Sequence, residues 1–198
     1  MIEIKRASEL GDSAQRKISE IFVDGFGEHL NYFTKDNTKL VEALEHMFVA
    51  DFFYVAIIDD GIAGIAACLN GERSTVYLNK KELRKHLGFY KGTLAYIFLK
   101  PEFQKPPIKT GDKIASVEFI ATASKFRGKG AATAIINHLF SLQQYNEYIL
   151  EVADTNTNAV KLYEKLGFKE FTRMKEKHSK RSGVNFRVYM NYVKPSSI

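Results

Sequence analysis

The chain has 198 residues, 45% of them hydrophobic, and a formal net charge of +6. That length suits one domain with a real core, and no apolar run is long enough to span a bilayer. A single cysteine, Cys68, excludes an internal disulfide, and the basic balance favours an acidic ligand, with RNA or an acidic surface as competing partners.

The start, Met1-Ile2-Glu3-Ile4-Lys5, alternates like a strand and carries no secretory signal, so a cytoplasmic protein is expected. A strand over 2–6 is followed by a helix over 12–26 with Ile18, Ile21, Phe22 and Phe26 on one face. A polar, aromatic connection leads to a second helix marked by Leu40, Val41, Leu44, Met47 and Phe48, with Asp36, Asn37 and Thr38 as capping candidates. Strands over 52–58 and 62–70 are joined by Asp59-Asp60-Gly61, a hairpin turn.

Residues 71–113 are an elaboration. Asn79 to Glu82 has the form of a capping box opening a short helix, and 89–100 is an aromatic-rich second one. Pro101, Pro106 and Pro107 are expected to force extended backbone, and the segment either packs over the substrate side of a cleft or is a surface insertion that merely covers apolar core.

Next comes a strand over 114–122, with Val117, Phe119 and Ala121 assigned to one face and Glu118, Ile120 and Thr122 to the other. Lys125-Phe126-Arg127-Gly128-Lys129-Gly130 follows it, then a helix beginning at Ala131 and Ala132. Glycines before a helix let unpaired backbone N–H groups reach a phosphate, and the flanking cations favour it further. A strand over 148–152 leads to Asn156, a helix carrying Ala159, Leu162, Tyr163 and Leu166, and Gly167 as its stop. Strands over 169–176 and 184–192 close the chain around a basic tip, 177–183, most simply a solvated turn. The histidines (His29, His46, His86, His138, His178) stand singly, without zinc-ligand spacing, so no metal is expected.

The Lys125–Gly130 loop resembles the pyrophosphate loop of the GNAT acetyltransferase superfamily, Gln/Arg-x-x-Gly-x-Gly/Ala, with Lys125 departing at the first position. Asn156, Ala159 and the run from Leu162 to Phe168 resemble the second signature, Asn-x-x-Ala-x-x-Leu-Tyr-Glu-Lys-Leu-Gly-Phe. The resemblance implies a single α/β (α+β) domain whose mixed sheet of about six or seven strands, flanked by helices, is splayed at an acetyl-CoA site.

It further implies that acetyl-CoA is a co-substrate held by Lys125, Phe126, Arg127, Gly128, Lys129, Gly130, Ala131 and Ala132, with its pantetheine arm along Ile120, Ala121 and Thr122 and with Asn156 nearby. Tyr163 stands where the family protonates the CoA thiolate, and Glu118 is the candidate base. The bland alternatives are a core tyrosine and an exposed carboxylate that only binds positive charge. Tyr32, Phe33, Phe89, Tyr90 and Tyr96 are candidates for an acceptor pocket. The expected activity is transfer of an acetyl group to a primary amine, on a small molecule or a protein, in a ternary complex. A non-catalytic acetyl-CoA sensor is the alternative. Homodimers are common in the superfamily, no membrane partner is expected, and nucleic acid is the least favoured partner.

Overall fold

Seven strands form one mixed sheet in the order β1-β2-β3-β4-β5-β7-β6. They are β1 (Glu3–Arg6), β2 (Phe53–Ile58), β3 (Gly61–Leu69), β4 (Ile114–Thr122), β5 (Glu147–Ala153), β6 (Lys169–Lys175) and β7 (Phe186–Val193). The structure, a computed structural model, describes residues 1–177 and 179–195. Neighbouring strands pair antiparallel, except that β4 and β5 run parallel. The β2–β3 turn forms as the sequence predicts, with Asp59 and Asp60 both left-handed (φ 49° and 58°), a conformation that short polar side chains tolerate.

Helices cover both faces. On one lies α1 (Ala14–Phe26), entered through a 3-10 turn over Ala7–Ser13. The α position of its Gly25 faces the Ala121 methyl of β4. Ser19 Oγ donates to the Val41 carbonyl at 2.8 Å and ties α1 to α2 (Asn37–Leu44), which is capped by Asp36 accepting from the Lys39 N–H. On the other face lies α5 (Ala131–Ser141), whose Ala131 and Ile135 side chains press on Gly64 of β3.

Two irregularities of β4 shape the centre of the sheet. Its parallel ladder with β5 runs from Ile114↔Glu147 to Val117↔Leu150 and stops there. Both strands continue, unpaired with each other, so the sheet splays between them. On its other side β4 carries a bulge: Ile65 pairs with Ala121 but Ala67 pairs with Glu118, so Phe119 and Ile120 together oppose Ala66. Phe119 has φ 51°, a conformation that costs an aromatic residue about 1–3 kcal/mol. The bulge overturns the simple alternation expected for this strand. Ala121 now shares the α1 face with Glu118, and Thr122 shares the α5 face with Val117, because one inserted residue exchanges every later side chain.

The elaboration is a helical hairpin, α3 (Lys80–Leu87) and α4 (Phe89–Phe103). Asn79 caps α3, its Oδ1 accepting from the Lys81 N–H at 2.8 Å. The helices cross so closely that a Cβ on Gly92 would lie 2.6 Å from the Arg84 backbone. Pro101 does not force extended backbone. The helix runs through it to Phe103, and the Gln104 N–H still bonds the Lys100 carbonyl at 2.9 Å. Only one helical bond is forfeited in the last turn, and the extra turn delivers the Phe103 ring to Phe22 and Phe119 (centroids 5.7 and 5.8 Å apart). Residues 105–109 then run along β5 in the opposite direction, Lys105 pairing with Glu151 at 2.6 Å and Lys109 with Glu147 at 2.7 Å.

The remaining helices are α6 (Thr157–Lys165) and α7 (Ser179–Ser182). The basic tip thus contains a short helix as well as a turn, and its His178 lies outside the described residues. Phe140, Tyr148, Phe168 and Tyr192 form an aromatic cluster that seats α5 against β5 and β7.

Candidate active site

β4 ends in a 3-10 turn, Ser124–Phe126, then Arg127 to Gly130, then α5. Inside this loop the Phe126 N–H bonds the Ala123 carbonyl (2.8 Å), the Arg127 N–H that of Ser124 (3.3 Å) and the Lys129 N–H that of Phe126 (3.2 Å). Among the described residues no acceptor meets the N–H of Gly128 or Gly130. The N–H groups of Ala131 and Ala132 lie in the first turn of α5, where helix geometry supplies no partner. Gly128 and Gly130 have φ of 78° and 85°, left-handed values that suit glycine. Phe126 is buried and anchors the loop, with the Lys125 and Lys129 ammonium groups 4.9 and 5.2 Å from its ring centroid. From α1, Asp24 pins the loop's start, accepting from the Ser124 N–H at 2.5 Å and its hydroxyl at 2.6 Å. The result is a fixed, cationic N–H cradle at the mouth of the splay.

Glu118 sits on β4 one residue beyond the last β4–β5 pair. Both carboxylate oxygens are held: Oε2 accepts from Thr75 Oγ1 at 2.7 Å and Oε1 from Ser116 Oγ at 2.8 Å. Thr75 and Ser116 are two of three buried polar residues among those described, the third being Ser19. The sequence reading missed both. Ser116 was accessible as the residue two before Glu118 on one strand face, whereas Thr75 lies 43 positions away with no local signal.

On the β5 side, Asn156 caps α6, its Oδ1 accepting from the Ala159 N–H at 3.2 Å and its amide NH₂ pointing elsewhere. Tyr163 follows two turns later. Its ring is buried against Phe168, at 6.0 Å between centroids. Its hydroxyl bonds no described residue, yet the one buried, unpartnered side-chain polar atom among the described residues is His46 Nδ1, so the Tyr163 oxygen reaches solvent. Burial pushes its pKa up, which keeps the phenol protonated at neutral pH. Burial likewise pushes the Cys68 thiol up to about 12, leaving the chain's one cysteine protonated and non-nucleophilic.

The aromatic residues expected at an acceptor pocket do not converge. Phe33 is in the core, Tyr32, Phe89 and Tyr90 are exposed, and Tyr96 lines a separate pocket of about 450 Å³ with His46, Tyr77 and Glu82. The half-buried aromatic rings at the β4 bulge are instead Phe119, which follows Glu118 in the chain, and Phe103, which meets Phe119 and is supplied by the elaboration. A second pocket, of about 240 Å³ between Arg6, Tyr54, Cys68 and Arg73, also lies away from the splay.

Solved structures share this architecture along nearly its whole length. PH1933 from Pyrococcus horikoshii OT3 superposes with a TM-score of 0.59 at 17% identity, covering 98% of this chain and 99% of that one. The ribosomal-protein-S18-alanine N-acetyltransferase of Escherichia coli gives 0.58 at 14% identity over 100% and 97% of the two chains. An N-acetyltransferase from Staphylococcus aureus Mu50 gives 0.57 at 18% identity over 97% and 100%. At these identities the likeness is one of fold. No curated protein sequence matches the chain. The family model described as the Acetyltransferase (GNAT) family matches residues 17–168, a stretch holding the splay, the N–H cradle, Glu118 and Tyr163, and on that match the chain belongs to the GNAT acetyltransferase family.

Proposed function

We propose that the chain is an acetyl-CoA-dependent N-acetyltransferase that acts on a primary amine by direct attack in a ternary complex. The observation that carries this reading is the gap opened where the β4–β5 ladder stops at Val117↔Leu150, with free donors at Gly128, Gly130, Ala131 and Ala132 at its mouth. The donors suit a pyrophosphate, with Lys125, Arg127 and Lys129 adding charge. The unpaired backbone of Ile120 to Thr122 suits an extended pantetheine arm, which would pair with it as an added strand.

In the reaction the amine nitrogen attacks the thioester carbonyl carbon, a C–N bond forms, and the C–S bond breaks. Glu118 accepts the proton that the amine loses, and Tyr163 donates one to the departing thiolate. An acyl-cysteine intermediate is disfavoured by the burial and raised pKa of Cys68. Glu118, Phe103 and Phe119 suit an acceptor that joins a cation to an apolar body.

Calorimetric titration with acetyl-CoA, beside thiol release across a panel of amines and peptide N-termini, tests the proposal. Wild type is expected to bind and, with one acceptor class, to release CoA. Gly130→Val forces a β-branched residue into a left-handed conformation and turns the cradle, so its Kd is expected to rise at least about tenfold, or ~1.4 kcal/mol. Unchanged binding by Gly130→Val, or no binding by wild type, would remove the assigned cradle.

A crossed pair of variants tests the support of Glu118. Thr75→Val keeps the buried shape and loses the hydroxyl, while Thr75→Ser keeps the hydroxyl and loses a methyl. Turnover is expected to fall about tenfold or more in the first and to hold within about threefold in the second, with KM little changed in both. Equal loss in the two would make Thr75 a packing residue only.

A further inference from the structure

The pocket of about 240 Å³ lies where three strands meet their loops. Arg6 ends β1, Tyr54 stands at the start of β2, and Cys68 and Leu69 end β3. The pocket is separate from the splay. Cys68 pairs with Val117 and so faces α5, whereas Glu118 faces α1. Along β3 the distance from Gly64, against which Ala131 presses, to Leu69 is about 16 Å at about 3.3 Å per residue.

Tyr54, Cys68 and Leu69 form a buried floor. The rim is exposed and charged. Arg6 Cζ lies 5.5 Å from the Tyr54 ring centroid, and Arg73 Cζ lies 5.0 Å from that of Phe52. Stacking on a ring holds a guanidinium in place and leaves in-plane N–H donors available. Asp51 and Glu72 line the same pocket, yet among the described residues none of these four charged side chains joins an ion pair. The Arg6 charge reaches inward, opposing the burial that raises the pKa of Tyr54, Cys68 and Tyr145.

The charges select the kind of occupant. An anion alone would meet Asp51 and Glu72, and a cation alone would meet Arg6 and Arg73. A molecule that carries both signs of charge is matched by both pairs. The volume lies below the roughly 300–1,000 Å³ of drug-sized sites, which restricts the occupant to a small molecule.

We propose that this pocket binds a free α-amino acid, with its carboxylate on Arg6 and Arg73, its ammonium on Asp51 and Glu72, and its side chain on the floor of Tyr54, Cys68 and Leu69. The guanidinium–carboxylate pairing supplies the directional part of the recognition. The site is distinct from the acetyl-transfer site and does not rest on the proposed activity.

The test is saturation-transfer NMR on the full chain, without acetyl-CoA, with each of the common amino acids at up to about 5 mM. At least one is expected to bind with a Kd of about 1 mM or below. Its amide, which lacks the carboxylate, and its N-acetyl form, which lacks the ammonium, are each expected to bind at least about tenfold more weakly. Arg6→Gln/Arg73→Gln and Asp51→Asn/Glu72→Gln are each expected to weaken binding at least about tenfold, with thermal midpoints near that of wild type showing that they fold. Glu118→Gln is expected to leave the Kd within about twofold. Absence of binding by every amino acid overturns the proposal. So does equal binding of the amide or the N-acetyl form, or binding that survives both rim variants. Loss of binding in Glu118→Gln with retention in the rim variants would also overturn it, placing the amino acid in the splay as an acceptor and leaving the acetyltransferase reading intact.

Discussion

Tyr163→Phe is expected to lower the rate of acetyl transfer by about 100-fold or more while leaving the acetyl-CoA Kd within about twofold. The ring is buried against Phe168 and the hydroxyl bonds no described residue, so removing one oxygen leaves packing and the cofactor contacts in place. What disappears is the proposed proton source, kept loaded at neutral pH by the burial that raises its pKa. CoA release and calorimetry on the same samples separate the two quantities. A variant that turns over like wild type would reduce Tyr163 to a core residue. A wild type that binds acetyl-CoA and never releases CoA with any acceptor would favour the sensor reading.

Arg187→Met is expected to destabilise the fold by about 3 kcal/mol, read as a lower urea midpoint at neutral pH with an unchanged slope. The guanidinium joins three carboxylates, meeting Glu176 at 2.5 Å, Glu102 at 2.5 Å and Glu151 at 2.9 Å. Glu102 is substantially exposed, so screening discounts its share, and the larger share falls on Glu151 and Glu176. Without Arg187 these side chains lose the cation they share, and Glu151 is left with Lys105 as its ion-pair partner. Burial alone would raise the Glu151 pKa, yet hydrogen bonding and charge from Lys105, followed by the charge of Arg187, pull it below its ordinary 4.5. A depressed carboxylate pKa stabilises the fold above the unfolded value and loses that contribution as pH falls through the folded one. The gap between wild type and Arg187→Met should therefore be full at neutral pH and shrink below about pH 4.5. A gap that widens in acid would show that these carboxylates are not what Arg187 stabilises.

The features legible in the sequence are those that local chemistry dictates. Asp36 and Asn79 cap the helices they precede, Asp59-Asp60 turns the hairpin, and the Gly128 and Gly130 positions enter α5 as their pattern implies. The features that escaped depend on distant partners. Strand alternation gave no sign that β4 takes an extra residue at Phe119, because a bulge is defined by the strand opposite, and one such residue reversed the faces of Ala121 and Thr122. Pro101 is a helix breaker by local rule, and the Phe103 ring packed on Phe22 and Phe119 outweighed it. The aromatic stretch over 89–100 does not supply an acceptor pocket, because Phe89 and Tyr90 face outward and an apolar helix does not reveal in sequence which of its sides meets the sheet. The hydroxyl that holds Glu118 comes from Thr75, across a separation that no periodicity spans.

The place where the β4–β5 ladder stops also bears on solubility. Beyond Val117 the two central strands present main-chain N–H and C=O groups to one another across a gap, so the sheet has an open edge in its middle as well as at β1 and β6. Natural sheets shield outer edges with charge or twist, and β6 follows that habit with Lys169, Arg173 and Lys175. An inner edge cannot be treated so without filling the space a ligand needs. The same backbone that, on the proposed function, would receive an extended molecule is therefore also a template for any stray strand. A cofactor bound there as proposed would cap it, so occupancy of this gap would protect the chain against self-association as well as serve the proposed chemistry.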